Sequence, residues 1–128
     1  MPTEKRAIRT DQAPTPTGPF NQAIRVGNLV FTAGQAGRNR ETGQMGDIRD
    51  QTSWALRNIA AILEAAGASL NDVVKTTVYL KEGADSAAMS EAYASHFADP
   101  LPARSSVVVT RLKNPEMLIE IVAIAVVG

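Results

Sequence analysis

The sequence of 128 residues contains no cysteine and only one histidine, His96. The absence of thiols excludes disulfide bonds, thiolate catalysis and metal sites built on cysteine. With a single histidine, the sequence shows neither the spacing of a metal site nor a Ser/His/Asp signature. We therefore expect no bound metal, and we interpret His96 as a solvated or capping residue near the end of a helix.

The chain also lacks net charge and is poor in aromatic residues. Thirteen Lys and Arg balance thirteen Asp and Glu, and aromatic residues make up 5% of the sequence. Proteins that bind nucleic acid usually present an excess of basic residues, and many add aromatic side chains that stack on bases. We therefore expect no nucleic-acid partner.

Long hydrophobic runs are missing too, since the longest, Ile121 to Val127, is too short to span a bilayer. The first residues, MPTEKRAIRTDQ, lack the apolar core of a signal peptide. We therefore expect no membrane association and a cytoplasmic location. Hydrophobic residues make up 45% and charged residues 20% of the chain, a balance that predicts one globular domain over residues 1–128.

Turn and helix signals organise the first half of the chain. In AIRVGNLVFTAG, two apolar runs flank Gly27 and Asn28, which predicts a hairpin with a type II′ turn. Apolar residues at helical spacing predict a helix from about Asp47 to Ala66. Gly67 follows as a left-handed cap.

The second half begins with VVKTTVYL, residues 73–80, whose β-branched residues predict a strand. A second helix follows, with Asp85 as its N-cap and with Met89, Tyr93 and Phe97 on one face. Two prolines come after this segment, and we expect them to end the helix.

The chain closes with two predicted strands, LPARSSVVVTRL (residues 101–112) and MLIEIVAIAVV (residues 117–127). With a weak first strand near Ala7, the element order is β-β-β-α-β-α-β-β, which predicts an α+β sheet with two helices. The last strand is apolar at both odd and even positions, so we expect both of its faces to be buried. Because two helices cover only one face, another subunit is the simplest cover for the second.

Arg104 lies near the start of the first of these two segments, and Glu120 is the one charge in the second. Arg104 is either a surface arginine or a clamp whose planar guanidinium binds a carboxylate through two hydrogen bonds. Glu120 needs a partner if it is buried, so a structural salt bridge and a catalytic acid/base both stay open. If the two strands form an antiparallel hairpin, the residues lie roughly 17 Å apart, at about 3.3 Å per residue. We then expect them to share a cleft only when they come from different chains.

Two glycine-containing segments have simpler interpretations. TAGQAG, residues 32–37, lacks the phosphate-loop pattern and is typical of a strand end where backbones approach closely. GPF, residues 18–20, is interpreted as a turn followed by a core aromatic residue.

Several segments together resemble the reactive intermediate deaminase family, also called RidA or YjgF. They are GPFNQAIRVGNLVFTAGQ, ALRNIAAILEAAGASLNDVVKTTVYLK, YASHF, LPARSSVVV and IEIVAIA, and they extend from about Gly18 to the end of the chain. The resemblance implies a chorismate-mutase-like α+β fold, with a mixed sheet and two helices packed on one face. It also implies a homotrimer with its sites between subunits. The implied reaction is hydrolysis of 2-imino acids, the tautomers of reactive enamines, to 2-keto acids and ammonia, without a cofactor or metal.

The resemblance also assigns residues to this site. Arg104 falls on the family arginine that binds the substrate carboxylate, and Glu120 on the glutamate that positions or activates the attacking water. Gly34 falls on a backbone position that lines the cleft. Four more cleft positions differ from the best-known members: Phe20 replaces a tyrosine, Ala33 a serine, Ser90 an asparagine and Ser106 a cysteine. These differences leave a thinner polar lining and an apolar wall that includes Phe20.

Two other functions stay open from the sequence. A partial site does not establish catalysis, so a metabolite-binding or chaperone-like protein without activity is one alternative. Members of the family have also been described as endoribonucleases and translation inhibitors, which the balanced charge and few aromatic residues disfavour.

Overall fold

The computed structural model describes residues 4–128 and shows one mixed sheet that carries two α-helices. The strands are β1 (Lys5–Ile8), β2 (Ala23–Val26), β3 (Leu29–Thr32), β4 (Gln35–Ala36), β5 (Val73–Lys81), β6 (Ala103–Val109) and β7 (Ile119–Val126). The helices are α1 (Ile48–Ala65) and α2 (Ser86–Ala94), and a short 3-10 turn spans Leu70–Asp72. The strand order is β1-β2-β3-β7-β5-β6, with β4 paired to β7. The predicted α+β class is confirmed, and β4 is an addition to the predicted elements.

The β2–β3 hairpin has the predicted turn. Val26 lies opposite Leu29, so the loop contains only Gly27 and Asn28. Gly27 has φ of +56°, whereas φ of Asn28 is not positive. This combination is that of a type II′ turn, whose twist matches that of the paired strands.

Helix α1 has a cap at each end, as its sequence predicts. The Asp47 carboxylate accepts a hydrogen bond from the backbone N–H of Asp50 at 2.9 Å. At the other end Gly67 adopts φ of +82°, and the N–H of Ala68 returns to the Leu63 carbonyl at 2.8 Å. These contacts satisfy backbone groups that the helix itself leaves unpaired.

Helix α2 begins as predicted but ends early. The Asp85 side chain accepts from the Ala88 N–H at 3.0 Å. The helix ends at Ala94, well before the prolines, and the Ser95 hydroxyl donates to the Ala92 carbonyl at 2.7 Å. Phe97 therefore lies just after the turn that follows the helix, and its ring still packs on Tyr93 with 4.8 Å between ring centroids.

The last two strands do not form a hairpin, so that hypothesis is wrong. Strand β6 pairs in parallel with β5, and β7 pairs antiparallel with the other edge of β5. The reason is α2, which lies between β5 and β6 in the chain and serves as the crossover that a parallel pair requires. Strand β6 is thereby left at the edge of the sheet.

Both helices cover one face of the sheet. On β7 the odd-numbered residues Ile119, Ile121, Ala123 and Ala125 are buried with the helix side chains in the core. The even-numbered residues point the other way and are only half-buried or exposed within this chain. We call this second surface the open face, and it includes Leu29, Phe31, Val107, Val122, Ile124 and Val126. The helices of this chain thus leave the open face uncovered, and its burial by another subunit stays a prediction.

Candidate functional site

A cleft of about 420 Å³ lies where β4 and β7 meet three connecting segments. Its walls come from the loop before β2, the chain around β4, and the connection that leads into β7. The lining comprises Pro14, Thr15, Pro16, Thr17, Phe20, Gln22, Gly34, Gln35, Ala36, Arg38, Lys113, Asn114, Pro115, Met117 and Glu120. The cleft therefore contains three of the predicted site residues: Phe20, Gly34 and Glu120.

Among residues 4–128, Glu120 is the only acidic residue that lines the cleft. It lies opposite Tyr79 on β5 and Ala36 on β4, and its side chain is half-buried. The one salt bridge within residues 4–128 joins Arg49 and Glu91, so no such ion pair within this part of the chain occupies the Glu120 carboxylate. Of the two interpretations of Glu120, the intrachain salt bridge therefore has no support.

Gly34 lies directly against the Glu120 side chain. A Cβ added at Gly34 would be 2.7 Å from Cδ of Glu120 and 2.8 Å from one carboxylate oxygen. Real Cβ atoms do not approach other atoms so closely, so the carboxylate can hold this position only because residue 34 has no side chain. The close backbone approach predicted for the TAGQAG segment is observed at Gly37, where an added Cβ would overlap the backbone of Gln51. The neighbour of Gly34 is instead the side chain of the candidate catalytic residue.

Phe20 is not a core residue, which corrects one interpretation of the GPF segment. The turn is present, since the Phe20 N–H donates to the Gly18 carbonyl at 2.9 Å. The ring, however, lines the cleft, and Phe20 is 43% exposed. Ala33 differs again: it does not line the cleft, and its N–H donates to the Gln22 carbonyl at 2.8 Å.

The side-chain amide of Gln22 holds the first wall of the cleft. Gln22 is 1% exposed, and its Nε2 donates to the carbonyls of Thr10 at 3.1 Å and Pro14 at 2.9 Å. Its Oε1 accepts from the Thr10 N–H at 2.7 Å. One buried amide therefore fixes the irregular, proline-containing loop, which has no backbone ladder of its own.

Two amides of α1 hold the other walls. Gln51 donates to the Glu116 carbonyl at 3.0 Å and accepts from the Leu118 N–H at 2.8 Å, which ties down the connection before β7. Asn58 donates to the carbonyls of Ala36 at 3.3 Å and Arg38 at 3.1 Å. These amides were missed from the sequence. The available signal was their placement, because residues 51 and 58 fall on the buried stripe of the helix, where a polar side chain requires partners.

Arg104 lies outside this cleft, on the edge strand β6. Its Nη2 donates to Oγ of Ser90 at 3.2 Å, and its Cζ lies 4.8 Å from the centroid of the Tyr93 ring. Burial raises the pKa of Tyr93, while its hydroxyl is within hydrogen-bonding distance of the Thr76 hydroxyl at 2.7 Å. The guanidinium is therefore oriented by α2 and by an aromatic face, and the residue as a whole remains exposed.

Ser106 lies close to Arg104 on the same strand. Parallel pairing places Arg104 beside Thr76 and Ser106 beside Val78, and both of these β5 residues are buried beneath the helices. Arg104, Ser90 and Ser106 thus form a second group of predicted site residues on the helix side of the sheet edge. The structure divides the predicted site into this group and the cleft that contains Glu120.

Two features are absent from the part of the chain that the structure describes. Within residues 4–128, no group of three or more His, Cys, Asp or Glu residues is arranged to hold a metal ion. No helix in that part of the chain combines the length and apolar character needed to cross a membrane.

Comparison with known proteins agrees with this fold. The family model described as Endoribonuclease L-PSP matches residues 10–127. A RutC family protein of Pyrococcus abyssi is 54% identical over 123 residues, which cover 94% of this chain and 96% of the relative. A 2-iminobutanoate/2-iminopropanoate deaminase of Escherichia coli is 41% identical over 125 residues, with 94% and 97% of the two chains covered.

A solved structure gives the same result in three dimensions. Escherichia coli TdcF with bound serine superimposes with a TM-score of 0.89 and 38% sequence identity, covering 97% of this chain and 100% of that one. The mixed sheet, its two helices on one face and the cleft beside β7 define a small α+β domain of the L-PSP type. The chain belongs to the reactive intermediate deaminase family, RidA/YjgF.

Proposed function

We propose that this protein hydrolyses reactive 2-imino acids to 2-keto acids and ammonia, in sites formed between the subunits of a homotrimer. Relatives that are named imine deaminases support a hydrolase of this type. The observation that carries the proposal is the pair of available charged groups: a half-buried carboxylate, Glu120, in a cleft, and an exposed, pre-oriented guanidinium, Arg104, at a sheet edge.

The two groups suit the two ends of a 2-imino acid. The carboxylate of the substrate matches the planar guanidinium of Arg104, which binds such groups through parallel hydrogen bonds. The imine carbon then needs a water molecule and a proton acceptor, and Glu120 supplies the acceptor. Phe20 and the prolines of the cleft offer an apolar wall for the substrate side chain.

The reaction requires one water molecule and no redox partner. Water attacks C2 of the protonated imine and forms a carbon–oxygen bond, while Glu120 takes a proton from the water. Glu120 returns that proton to the nitrogen of the tetrahedral intermediate, the carbon–nitrogen bond breaks, and ammonia leaves. Loss of the hydroxyl proton from the intermediate gives the 2-keto acid. Because imines hydrolyse readily in water, orienting the substrate and supplying one general base are sufficient to catalyse the reaction.

The open face supports assembly with other subunits, and the number three comes from the resemblance to the family. Leu29, Phe31 and Val126 are 40%, 41% and 40% exposed in one chain, and they lie side by side across β3 and β7. Contiguous apolar surface of this kind marks a protein interface. If a neighbouring subunit covers this face near Glu120, the edge strand of that neighbour can bring its Arg104 to the cleft.

The test uses imines generated in the assay. An amino-acid oxidase releases 2-imino acids from several amino acids, and semicarbazide captures whatever imine survives. We expect the protein to lower the captured fraction in proportion to its concentration and Glu120→Gln to abolish the effect. Binding of 2-keto acids without any change in imine lifetime would instead indicate the non-catalytic, metabolite-binding alternative.

A further inference from the structure

The cleft carries more positive charge than a simple imino acid requires. Its charged lining residues are Arg38, Lys113 and Glu120, so two cations face one carboxylate within the chain. The only salt bridge of residues 4–128 lies elsewhere, between Arg49 and Glu91, so neither cation is neutralised by an ion pair within that range. In the proposed reaction Arg104 adds a third cation and takes the C1 carboxylate. A second anionic group on the substrate would balance the remaining excess of positive charge in the cleft.

Arg38 is held at the cleft by contacts on both its backbone and its side chain. Its carbonyl accepts from Nδ2 of Asn58 at 3.1 Å, and its Nη1 donates to the Gly43 carbonyl at 2.7 Å. The preceding residue, Gly37, packs so tightly on α1 that an added Cβ would overlap the backbone of Gln51. The arginine therefore extends from a fixed segment and is only half exposed.

The side chain of Arg38 keeps binding capacity after these contacts are made. A guanidinium has five N–H donors, and the bond to Gly43 uses one of them. A carboxylate needs two donors in parallel, which Arg38 still has. Lys113, on the connection before β7, is exposed and adds a compact positive charge to the same cleft.

We infer that this cleft selects 2-imino acids whose side chain carries a second carboxylate, bound by Arg38 with the help of Lys113. The inference rests on the proposed deaminase function and specifies its substrate class. The apolar wall of Phe20 and Met117 would cover the methylene groups between the two ends of such a substrate.

Competition with semicarbazide measures this preference directly. D-Amino-acid and D-aspartate oxidases release the imines of 2-aminobutyrate and glutamate, and because C2 of an imine is planar, the configuration of the parent amino acid is lost. The dependence of the captured fraction on protein concentration gives relative kcat/KM values for the two imines. We expect the dicarboxylic imine to be favoured about tenfold, the effect typical of one hydrogen-bonded charge.

Arg38→Gln should lower this ratio about tenfold, as expected from the loss of one charge-assisted contact. Arg40→Gln is the matched control, because Arg40 lies on the same loop, bonds to Oε1 of Gln12 at 2.7 Å and does not line the cleft. The control should retain the ratio of the unaltered protein. Equal kcat/KM values for the two imines, or a ratio that Arg38→Gln leaves unchanged, would overturn the inference while the deaminase function stands.

Calorimetry separates failure of the inference from failure of the proposed function. The products 2-oxoglutarate and 2-oxobutanoate are titrated into the protein and into both variants. Tighter binding of 2-oxoglutarate that is lost only in Arg38→Gln would support the dicarboxylate site even if neither imine is hydrolysed. Equal binding of the two keto acids would count against it whatever the activity.

Discussion

Arg104 and Glu120 lie on opposite faces of the same sheet, on the two strands that flank β5. Arg104 lies beside Thr76, which is buried under the helices, whereas Glu120 lies beside Tyr79 on the open face. The sheet itself therefore separates the two side chains within one chain. The antiparallel hairpin predicted from the sequence would have separated them along the strands, and that hairpin does not exist. We therefore expect the proposed site to take Arg104 from one subunit and Glu120 from another.

Subunit mixing tests this requirement. Homotrimers of Arg104→Ala and of Glu120→Ala should each be nearly inactive, because one lacks the carboxylate clamp and the other the general base. When the two variants are unfolded, mixed and refolded together, some interfaces should contain both native residues, and part of the deaminase activity should return.

The mixed sample needs an independent measure of assembly. A mass tag on one variant shows by native mass spectrometry whether hybrid trimers form. Hybrid trimers without recovered activity would mean that both residues act from one chain, contrary to the geometry of the sheet.

The open face should mediate assembly. Phe31 lies opposite Ile124 at the centre of this apolar surface. Light scattering of the unaltered protein at micromolar concentration should give about three times the chain mass of 13.6 kDa. Phe31→Arg should yield monomers, because a buried unpaired charge at an interface costs several kcal/mol. A stable trimer of Phe31→Arg, or a monomeric unaltered protein, would contradict this assignment.

Phe20→Tyr should change turnover and leave stability nearly unaltered. The ring lines the cleft, so the added hydroxyl can reach water or substrate and is not forced into the core. We expect a melting temperature that corresponds to a change within about 0.5 kcal/mol. Imine kinetics should differ from those of the unaltered protein. A clear loss of stability with unchanged kinetics would instead support the interpretation of Phe20 as a core residue, because a buried hydroxyl without a partner costs about 1–3 kcal/mol.

Gly34→Ala and Gly37→Ala should fail in different ways. The new methyl group at position 34 meets the Glu120 side chain, which can shift, so the protein should fold and lose most of its activity. At position 37 the methyl group meets the backbone of Gln51, which is part of α1 and cannot yield. Overpacking of this kind costs about 1–3 kcal/mol or more, so the melting temperature should fall clearly only for Gly37→Ala. Full activity in Gly34→Ala would show that Glu120 is not constrained by Gly34.

His96 should make the stability depend on pH below its ordinary pKa of 6.5. Burial lowers the pKa of His96 in the folded chain, and the nearby Arg57 lowers it further. At a pH between the lowered pKa of the folded chain and the ordinary pKa of 6.5, His96 is protonated in the unfolded chain and neutral in the folded chain. The contribution of neutral His96 to the free energy of unfolding should therefore be fully present above pH 6.5, and it should decrease as the pH falls toward the pKa of the folded chain.

His96→Gln should flatten this part of the pH profile. Because carboxyl groups titrate mainly near pH 4, the two effects separate in thermal melts recorded in small pH steps. An identical slope in both proteins just below pH 6.5 would show that His96 is not the responsible group.

The sequence by itself determined the elements whose signals are local. The type II′ turn at Gly27, the caps at Asp47 and Gly67, and the strand from Val73 depend on residues close to one another in the chain. Such local signals do not depend on how the rest of the chain packs. The resemblance of the sequence to the family likewise identified Arg104 and Glu120 as candidate site residues.

Only the tertiary structure decided how these candidates are arranged. Apolar strands do not encode which neighbour they pair with, and β6 pairs with β5 because the α2 crossover returns the chain in parallel. The cleft walls depend in the same way on Gln22, Gln51 and Asn58, whose partners are separated from them by up to 67 residues. A buried amide signals only that it needs partners, and the fold selects them. Because strand pairing and the partners of buried amides are decided by the fold, the sequence did not reveal the face on which Glu120 lies. Nor did it reveal that Arg38 lines the same cleft.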